Sequence, residues 1–461
     1  MARIIIIGAG LTGLSTAYHL EKAGFYDYAI LEKEAVPGGL TRTFRQDGFT
    51  FDITGHLLHV SDDYFKQFIC DVIGAETLAT IERKSFIYLF EKYHTYPFQS
   101  NLAQLPHNVI AECVEGFVKR NTSMRNPKSF HDWVLKHFGA GIGKHFFFPY
   151  NGKLLCHPLT KVTPDWTGRF VPSTTLNDIV EGLVKPPDRS NDGYNATFSY
   201  PHKGGISVFA DGMSALLKNK TQLNKTIDRI DSVAKKIICT DGSVETYETL
   251  ISTMPLKTLI PQISFGSRTN LMAAHSKLLN NSVWTFNIGI NRPKVSDKHW
   301  IYYPEKNIPF YRLGFWNNFS PNMAPPGCSA LYGEVGTLHG ADIQKSKTTI
   351  IKQACKFFDI KPSEIMIQTD MTIEHAYVIY DAWRAKNLSK VHQTLNDHDI
   401  YSVGRFGSWK YSSMQEAILD GKAMASVILE GKDRSRTTIV PASKYHPFEK
   451  KEVTPNREPQ T

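Results

Sequence analysis

The sequence predicts an α/β fold: a parallel-sheet nucleotide-binding domain interrupted by a helical insertion and by an antiparallel sheet. Three observations predict it. A strand–turn–helix signature opens the chain. Apolar strand runs return near residues 250–255 and 400–405. The stretches between them change period, first helical and then alternating.

The opening signature is Ile4-Ile5-Ile6-Ile7-Gly8-Ala9-Gly10-Leu11-Thr12-Gly13. Four β-branched residues suit a buried strand. Gly8 permits a tight turn, Gly10 lets backbone approach a pyrophosphate, and Gly13 lets the helix lie against the strand. The helix N-terminus then offers free N–H groups to phosphates. Leu14, Ala17 and Tyr18 recur at helical spacing, and Gly24 ends the helix. A second apolar run, Tyr28 to Leu31, leads to Glu32, an acid placed to accept ribose hydroxyls. Strand, glycines, helix and acid in this order are a Rossmann-type dinucleotide fingerprint.

Composition bounds the rest. A chain of 461 residues fits two or three domains, and 41% hydrophobic content supplies their cores. No apolar run reaches the ~20 residues of a membrane span, and the first run leads into glycines rather than a cleavage site. Six scattered cysteines without a CxxC pair suit a reducing, cytoplasmic setting and argue against zinc or a disulfide framework. The histidines lack metal-ligand spacing. The net charge of +9 is diffuse, with no basic arm for nucleic acid; it reads as a solvated surface or as a field drawing in an anionic substrate. Nothing in the sequence sets an oligomeric state.

The remaining elements follow in order. Residues 48–56 alternate like a strand. From Ser100 to about Leu183 the pattern is helical: Val109, Ile110, Cys113, Val114, Phe117 and Val118 form one apolar face, and Ser129 with Asp132 caps a helix that Gly139 stops. Short helix and strand signals return near residues 210–242 and 246–253. Val283 to Ile290, Trp300 to Tyr303, Tyr311 to Trp316 and Ala330 to Val335 read as strands of a second sheet, and Thr349 to Phe358 as an amphipathic helix. Ile400 to Arg405 is a strand into a turn. Ser413 and Glu416 form a capping box for a helix from Met414 to Leu429, and Gly421 allows it to pack closely. The expected division is a nucleotide-binding domain from residues 1–99, 186–265 and 396–432, a helical insertion at 100–185, a substrate sheet at 266–395, and a mobile tail at 433–461.

Specific strings then point further. Gly38-Gly39-Leu40-Thr41-Arg42, soon after Glu32, resembles the segment carried by flavin enzymes of the amine-oxidase and mutase type, which implies FAD. Gly55-His56, Tyr96-Pro97-Phe98-Gln99-Ser100-Asn101, Pro149-Tyr150-Asn151, Asn195-Ala196-Thr197-Phe198, Trp300-Ile301-Tyr302, Pro309-Phe310-Tyr311-Arg312 and Gly404-Arg405-Phe406-Gly407-Ser408-Trp409-Lys410-Tyr411 stand in the order seen in UDP-galactopyranose mutases. The chain resembles the eukaryotic type more than the bacterial one, from residue 1 to about 430, within the wider amine-oxidase and protoporphyrinogen-oxidase-like flavoproteins.

The resemblance implies an isomerase that uses reduced FAD, with NAD(P)H or another external reductant. It would interconvert UDP-galactopyranose and UDP-galactofuranose, or a related nucleotide sugar, through a flavin N5–sugar adduct, in the service of cell-surface polysaccharide synthesis. FAD contacts would come from Gly8, Gly10, Leu11, Thr12, Gly13, Glu32, Lys33, Gly39, Leu40, Thr41, Gly55, His56, Ile227, Gly404, Arg405, Ser413 and Met414. The last helix would aim its N-terminus at the flavin pyrimidine ring. His56, Arg312, Tyr377 and Tyr411 would be catalytic, with the Arg312 fork and both phenols on the diphosphate. Tyr96, Gln99, Phe146, Phe147, Asn151, Arg169, Asn195, Trp300 and Tyr302 would complete the substrate site.

Three departures stand out. Phe170 replaces an Arg of the eukaryotic type, with Arg169 one position early. Leu155 replaces a Trp, and Ser412-Ser413-Met414 is a shortened segment. They keep a second expectation open: an FAD-dependent oxidoreductase of the amine-oxidase or desaturase type on the same scaffold.

Overall fold

The computed structural model describes residues 4–167, 171, 173–184, 196–266 and 271–431. Its first sheet has four parallel strands in the order Ile400–Ser402, Thr249–Ser252, Ile4–Ile7, Tyr28–Leu31. Ile4 faces Thr249 on one side and Tyr28 on the other, and Leu250 faces Ile400. Three distant stretches of chain thus build one sheet, as the recurring apolar runs predict. Ile5, Ile6, Ile30, Leu250, Ile251 and Ile400 are fully buried, as strands covered on both faces require.

Helix Leu11–Lys22 runs from the first strand and packs along the last helix, Met414–Glu430. The approach is close because a Cβ at Gly421 would lie 2.6 Å from both Thr12 O and Ser15 Cβ. The Ser15 hydroxyl donates to Ile418 O at 2.7 Å, fixing the crossing. A smaller sheet, in the order Val244–Thr246, Lys236–Cys239, Ile227–Asp231, Ile263–Ser264, packs beside this domain.

The second large sheet has seven strands: Ile365–Ile373, Asn281–Ile290, Ser329–Leu338, Arg312–Phe315, Trp300–Tyr302, Ser85–Leu89 and Lys92–Thr95. The last two come from the N-terminal stretch, so residues 1–99 contribute strands to both large sheets. Periodicity shows that Ser85 to Leu89 is a strand; it does not show which strand it joins. All ten residues of Asn281–Ile290 are buried, because strands flank it on both sides.

The helical insertion contains helices His107–Val118, Phe130–Ile142, Phe148–Leu155 and Leu176–Val184. Ser129 caps the second, its Oγ accepting the Asp132 N–H at 3.1 Å, as the sequence pattern predicts. Gly139 interrupts that helix, as the sequence pattern predicts. It breaks it at φ +78°, and the chain resumes helical conformation to Ile142 and beyond. The break is forced by packing: a Cβ at Gly139 would lie 2.0 Å from Gly116 O. No helix of the described residues is long and apolar enough to cross a membrane.

Candidate active site

At the nucleotide end, two of the fingerprint glycines, Gly8 and Gly13, sit where side chains cannot. Gly8 has φ +98°, and a Cβ on Gly13 would lie 1.9 Å from Gly8 O. Gly10 faces Gly39, where an added Cβ would lie 3.3 Å from Gly10 Cα. The two glycines therefore line a backbone cradle. Gly38 N–H donates to Ala9 O at 2.8 Å, and the Thr41 hydroxyl to Gly38 O at 2.8 Å, holding Gly39, Leu40 and Thr41 against the fingerprint. Buried Glu32 accepts Ala9 N–H at 2.7 Å and Glu34 N–H at 3.0 Å, keeping acceptor capacity on both oxygens. Lys33 points outward, 3.6 Å from Glu34. Arg42 was not singled out as a contact from the sequence. It donates to Gly39 O at 2.9 Å and pairs with Glu34 at 2.8 Å, so it ties the cradle loop to the strand carrying Glu32. Lys225 N–H donates to Glu32 O at 2.8 Å, which brings the segment leading into buried Ile227 alongside the acid.

Leu11 and Thr12 are buried in the first turn of their helix, under Gly404. A Cβ at Gly404 would meet Thr12 Oγ1 at 2.6 Å. The last helix has the expected capping box: Ser413 Oγ accepts Glu416 N–H at 3.2 Å, and Glu416 returns the bond to Ser413 N–H at 2.7 Å. Met414 is buried directly behind the cap. Arg405 bridges this turn to another. Its Nη1 donates to Ser412 O at 2.6 Å and its Nη2 to Ala376 O at 3.2 Å. The guanidinium lies 4.9 Å from the Tyr411 ring and 5.7 Å from the Tyr377 ring. These two rings are nearly parallel, 6.1 Å apart. Residues remote in sequence are thus stacked as a pair with one cation beneath them.

The facing wall is the seven-stranded sheet. Arg312 and Glu334 are directly opposed on neighbouring antiparallel strands. Arg312 Nε donates to Glu334 Oε2 at 2.9 Å and Nη2 to Oε1 at 2.7 Å, a two-bond fork. Glu334 is 0% exposed. Gly55 N–H approaches its Oε1 at 3.3 Å, and a Cβ on Gly55 would lie 3.1 Å from the Tyr332 hydroxyl. The His56 Nδ1–H donates to Thr54 O at 3.0 Å. Burial pushes the His56 pKa down to about 4; the Thr54 bond opposes this and the Arg405 charge adds to it. His56 is therefore a neutral imidazole at pH 7, with Nε2 left as an acceptor. Burial likewise raises Tyr377 to about 12, so it remains a phenol donor.

Further out, Tyr302 faces Arg312 across the strand pair and touches two other rings, Tyr96 at 5.1 Å and Tyr150 at 5.2 Å. Burial raises the Tyr302 phenol, and Arg312 and Arg83 pull it back. Arg83, 2% exposed, has its guanidinium 5.0 Å from the Tyr96 ring. Trp300 pairs with Ser85 in the sheet and packs 5.8 Å from Phe198. Gln99 is buried in the turn after Tyr96. Phe146 stacks between Phe98 and Tyr150, while Phe147 packs on Phe138 within the helical insertion. Asn151 turns its amide onto Phe147 O at 2.8 Å. Arg169 and Asn195 lie outside the described residues, as does Phe170.

Sequence reasoning missed Glu334, Tyr332 and Arg83. A carboxylate two residues from Tyr332, within an otherwise apolar strand run, is the signal that could have marked Glu334. A model of flavin containing amine oxidoreductases matches residues 11–429. The chain belongs to this family. Its cofactor is FAD, and the Gly10–Gly39 cradle with Glu32 behind it fits a dinucleotide. A crystal structure of reduced UDP-galactopyranose mutase matches with TM-score 0.86 at 28% identity, covering 93% of this chain and 96% of that one. A putrescine oxidase structure shares the fold, with TM-score 0.63 at 15% identity over 93% of this chain and 99% of that one. Among curated proteins, coproporphyrinogen III oxidase of Staphylococcus aureus is 23% identical over 287 residues, 55% of this chain and 60% of that protein. A 4,4'-diapophytoene desaturase of the same species is 30% identical over 107 residues, 23% of this chain and 21% of that protein. This chain therefore spans between a fifth and three fifths of the length of these curated relatives.

Proposed function

We propose that this flavoenzyme is a pyranose–furanose mutase acting on a nucleotide sugar, with UDP-galactopyranose as the first candidate. The observation that carries this reading is the clustering of Arg312, His56, Tyr377 and Tyr411, combined with the 93% overlap with the reduced mutase. Reduced FAD supplies a nucleophile toward the anomeric carbon, with no net redox change over the cycle. The chain does the rest. Arg312 and the Tyr377 and Tyr411 phenols hold the diphosphate, so that the departed group stays near for its return. Neutral His56 presents Nε2 as an acceptor beside the reacting sugar, and its Thr54 bond fixes the tautomer. Tyr96, Tyr302 and Trp300 wall the sugar and nucleoside side, and Ser413 with Met414 at the helix N-terminus favours negative charge on the flavin.

A second reading is supported by the curated relatives, which are oxidases and desaturases. In that reading the same cavity takes a substrate that FAD oxidises. One experiment separates them. The FAD-loaded protein, reduced by dithionite or NAD(P)H, is incubated with UDP-, GDP- and dTDP-hexoses, and products are resolved by chromatography while oxygen is followed. Interconversion only after reduction, with no stoichiometric oxygen use, is the expected result. Oxygen or acceptor consumption on turnover, with no sugar interconversion, overturns it.

A further inference from the structure

One edge of the Arg312 guanidinium is engaged by the protein itself. Its Nε and Nη2 edge is taken by Glu334, a carboxylate with no exposed surface. A carboxylate removed from water is costly unless a cation meets it with good geometry. Here the geometry comes from the sheet: Arg312 and Glu334 are register partners on adjacent strands, so the pairing does not depend on a mobile loop. Gly55 N–H and the Tyr311 hydroxyl close around the same carboxylate. Among the described residues, no hydrogen bond engages the Arg312 Nη1 edge, and the Tyr332 hydroxyl beside the pair is buried without a partner.

We propose that Glu334 is the positioning residue for Arg312: it fixes the fork so that only the Nη1 edge reaches a diphosphate, and it cancels the cation's charge until that ligand binds. The inference rests on the diphosphate reading above. Recognition then depends on edge geometry and on the phenols rather than on net charge. A site built this way prefers an esterified diphosphate, which also contacts the aromatic wall, to a small, highly charged anion.

Isothermal titration of the FAD-loaded protein with UDP and with inorganic pyrophosphate, at low and high salt, tests this. Wild type should bind UDP in preference to pyrophosphate, with shallow salt dependence. Glu334→Gln keeps an acceptor for the fork but removes the charge. It should tighten pyrophosphate about tenfold, as expected for one charge deleted near a polyanion, steepen the salt dependence, and narrow the preference for UDP. Glu334→Asp retains the charge and should keep the wild-type salt dependence. A purely structural role can loosen binding but cannot tighten it. Unchanged or weaker pyrophosphate binding by Glu334→Gln overturns the inference. So does a wild-type pyrophosphate affinity that falls more than about tenfold from low to high salt, a readout that needs no variant. If wild type binds UDP and either of these failures occurs, only the role of Glu334 is lost. If wild type binds no UDP, the diphosphate reading falls with it.

Discussion

The nucleotide end and the Arg312 wall use different material to hold a ligand. At the nucleotide end, contiguous glycines bring backbone close to backbone, and the decisive distances are steric: 1.9 Å from a Gly13 Cβ to Gly8 O, 3.3 Å from a Gly39 Cβ to Gly10 Cα. At the Arg312 wall, side chains 22 residues apart meet across a strand pair, and the decisive quantity is a buried charge with its partner. The first region tolerates no added atom at Gly8 or Gly13. The second tolerates shape changes but not an unbalanced charge. One region is therefore fragile to methyl groups and the other to neutralisation of a single partner.

The sharpest way to break this comparison is Gly13→Ala. The added methyl overlaps Gly8 O, and relieving it must separate the first helix from the first strand. A loss of about 3 kcal/mol or more of stability is expected, with purified protein lacking the yellow flavin spectrum. Normal flavin content would show that the cradle is less tight than its geometry.

Arg312→Ala comes next, and its main effect is on folding. Glu334 is left buried without its cationic partner, at a cost of about 3–5 kcal/mol. The double substitution Arg312→Met with Glu334→Gln should recover most of that in thermal unfolding while nucleotide-sugar binding stays lost. Failure of the double variant to regain stability would mean that the two residues are not an isolated pair.

Acid sharpens the contrast in another way. His19, His56, His299, His375 and His392 are each held near pKa 4, mainly by burial. The unfolded chain binds their protons from about pH 6.5 downward, whereas the folded chain does not until about pH 4. Stability should therefore fall as pH drops from 6.5 to 4, visible as a declining Tm. Across pH 5–8, substrate binding should show no His56 inflection; a break near 6.5 that disappears in His56→Ala would overturn the neutral-imidazole assignment.

The smallest effect belongs to the helix cap. Ser413→Ala removes one acceptor and should cost about 1 kcal/mol, read as a modest Tm decrease. A flavin potential shift larger than the stability loss would tie the cap to the cofactor as well as to the helix.

Much of this molecule was legible in one dimension. Ile4 to Gly13 and the Ser413–Glu416 box are local statements: each needs only neighbours within a turn or a strand, and each holds in the structure. The seven-stranded sheet was legible in part, because alternation marks strands but not their partners. That is why Ser85–Leu89 and Lys92–Thr95 were grouped with the nucleotide-binding stretch. Gly139 was legible as the point where the helix breaks, but not that the chain resumes a helix beyond it against Gly116.

By itself, the sequence determined the fold class and the dinucleotide end, because glycine sterics, hydrophobic period and caps act over a few residues. Only the tertiary structure decided that Arg312 is paired with Glu334 and that Arg405 ties the Tyr377 turn to the Tyr411 turn. Both depend on strand register and loop approach across the whole chain. The energy of a buried charge is set by what the fold places beside it, not by its neighbours in sequence.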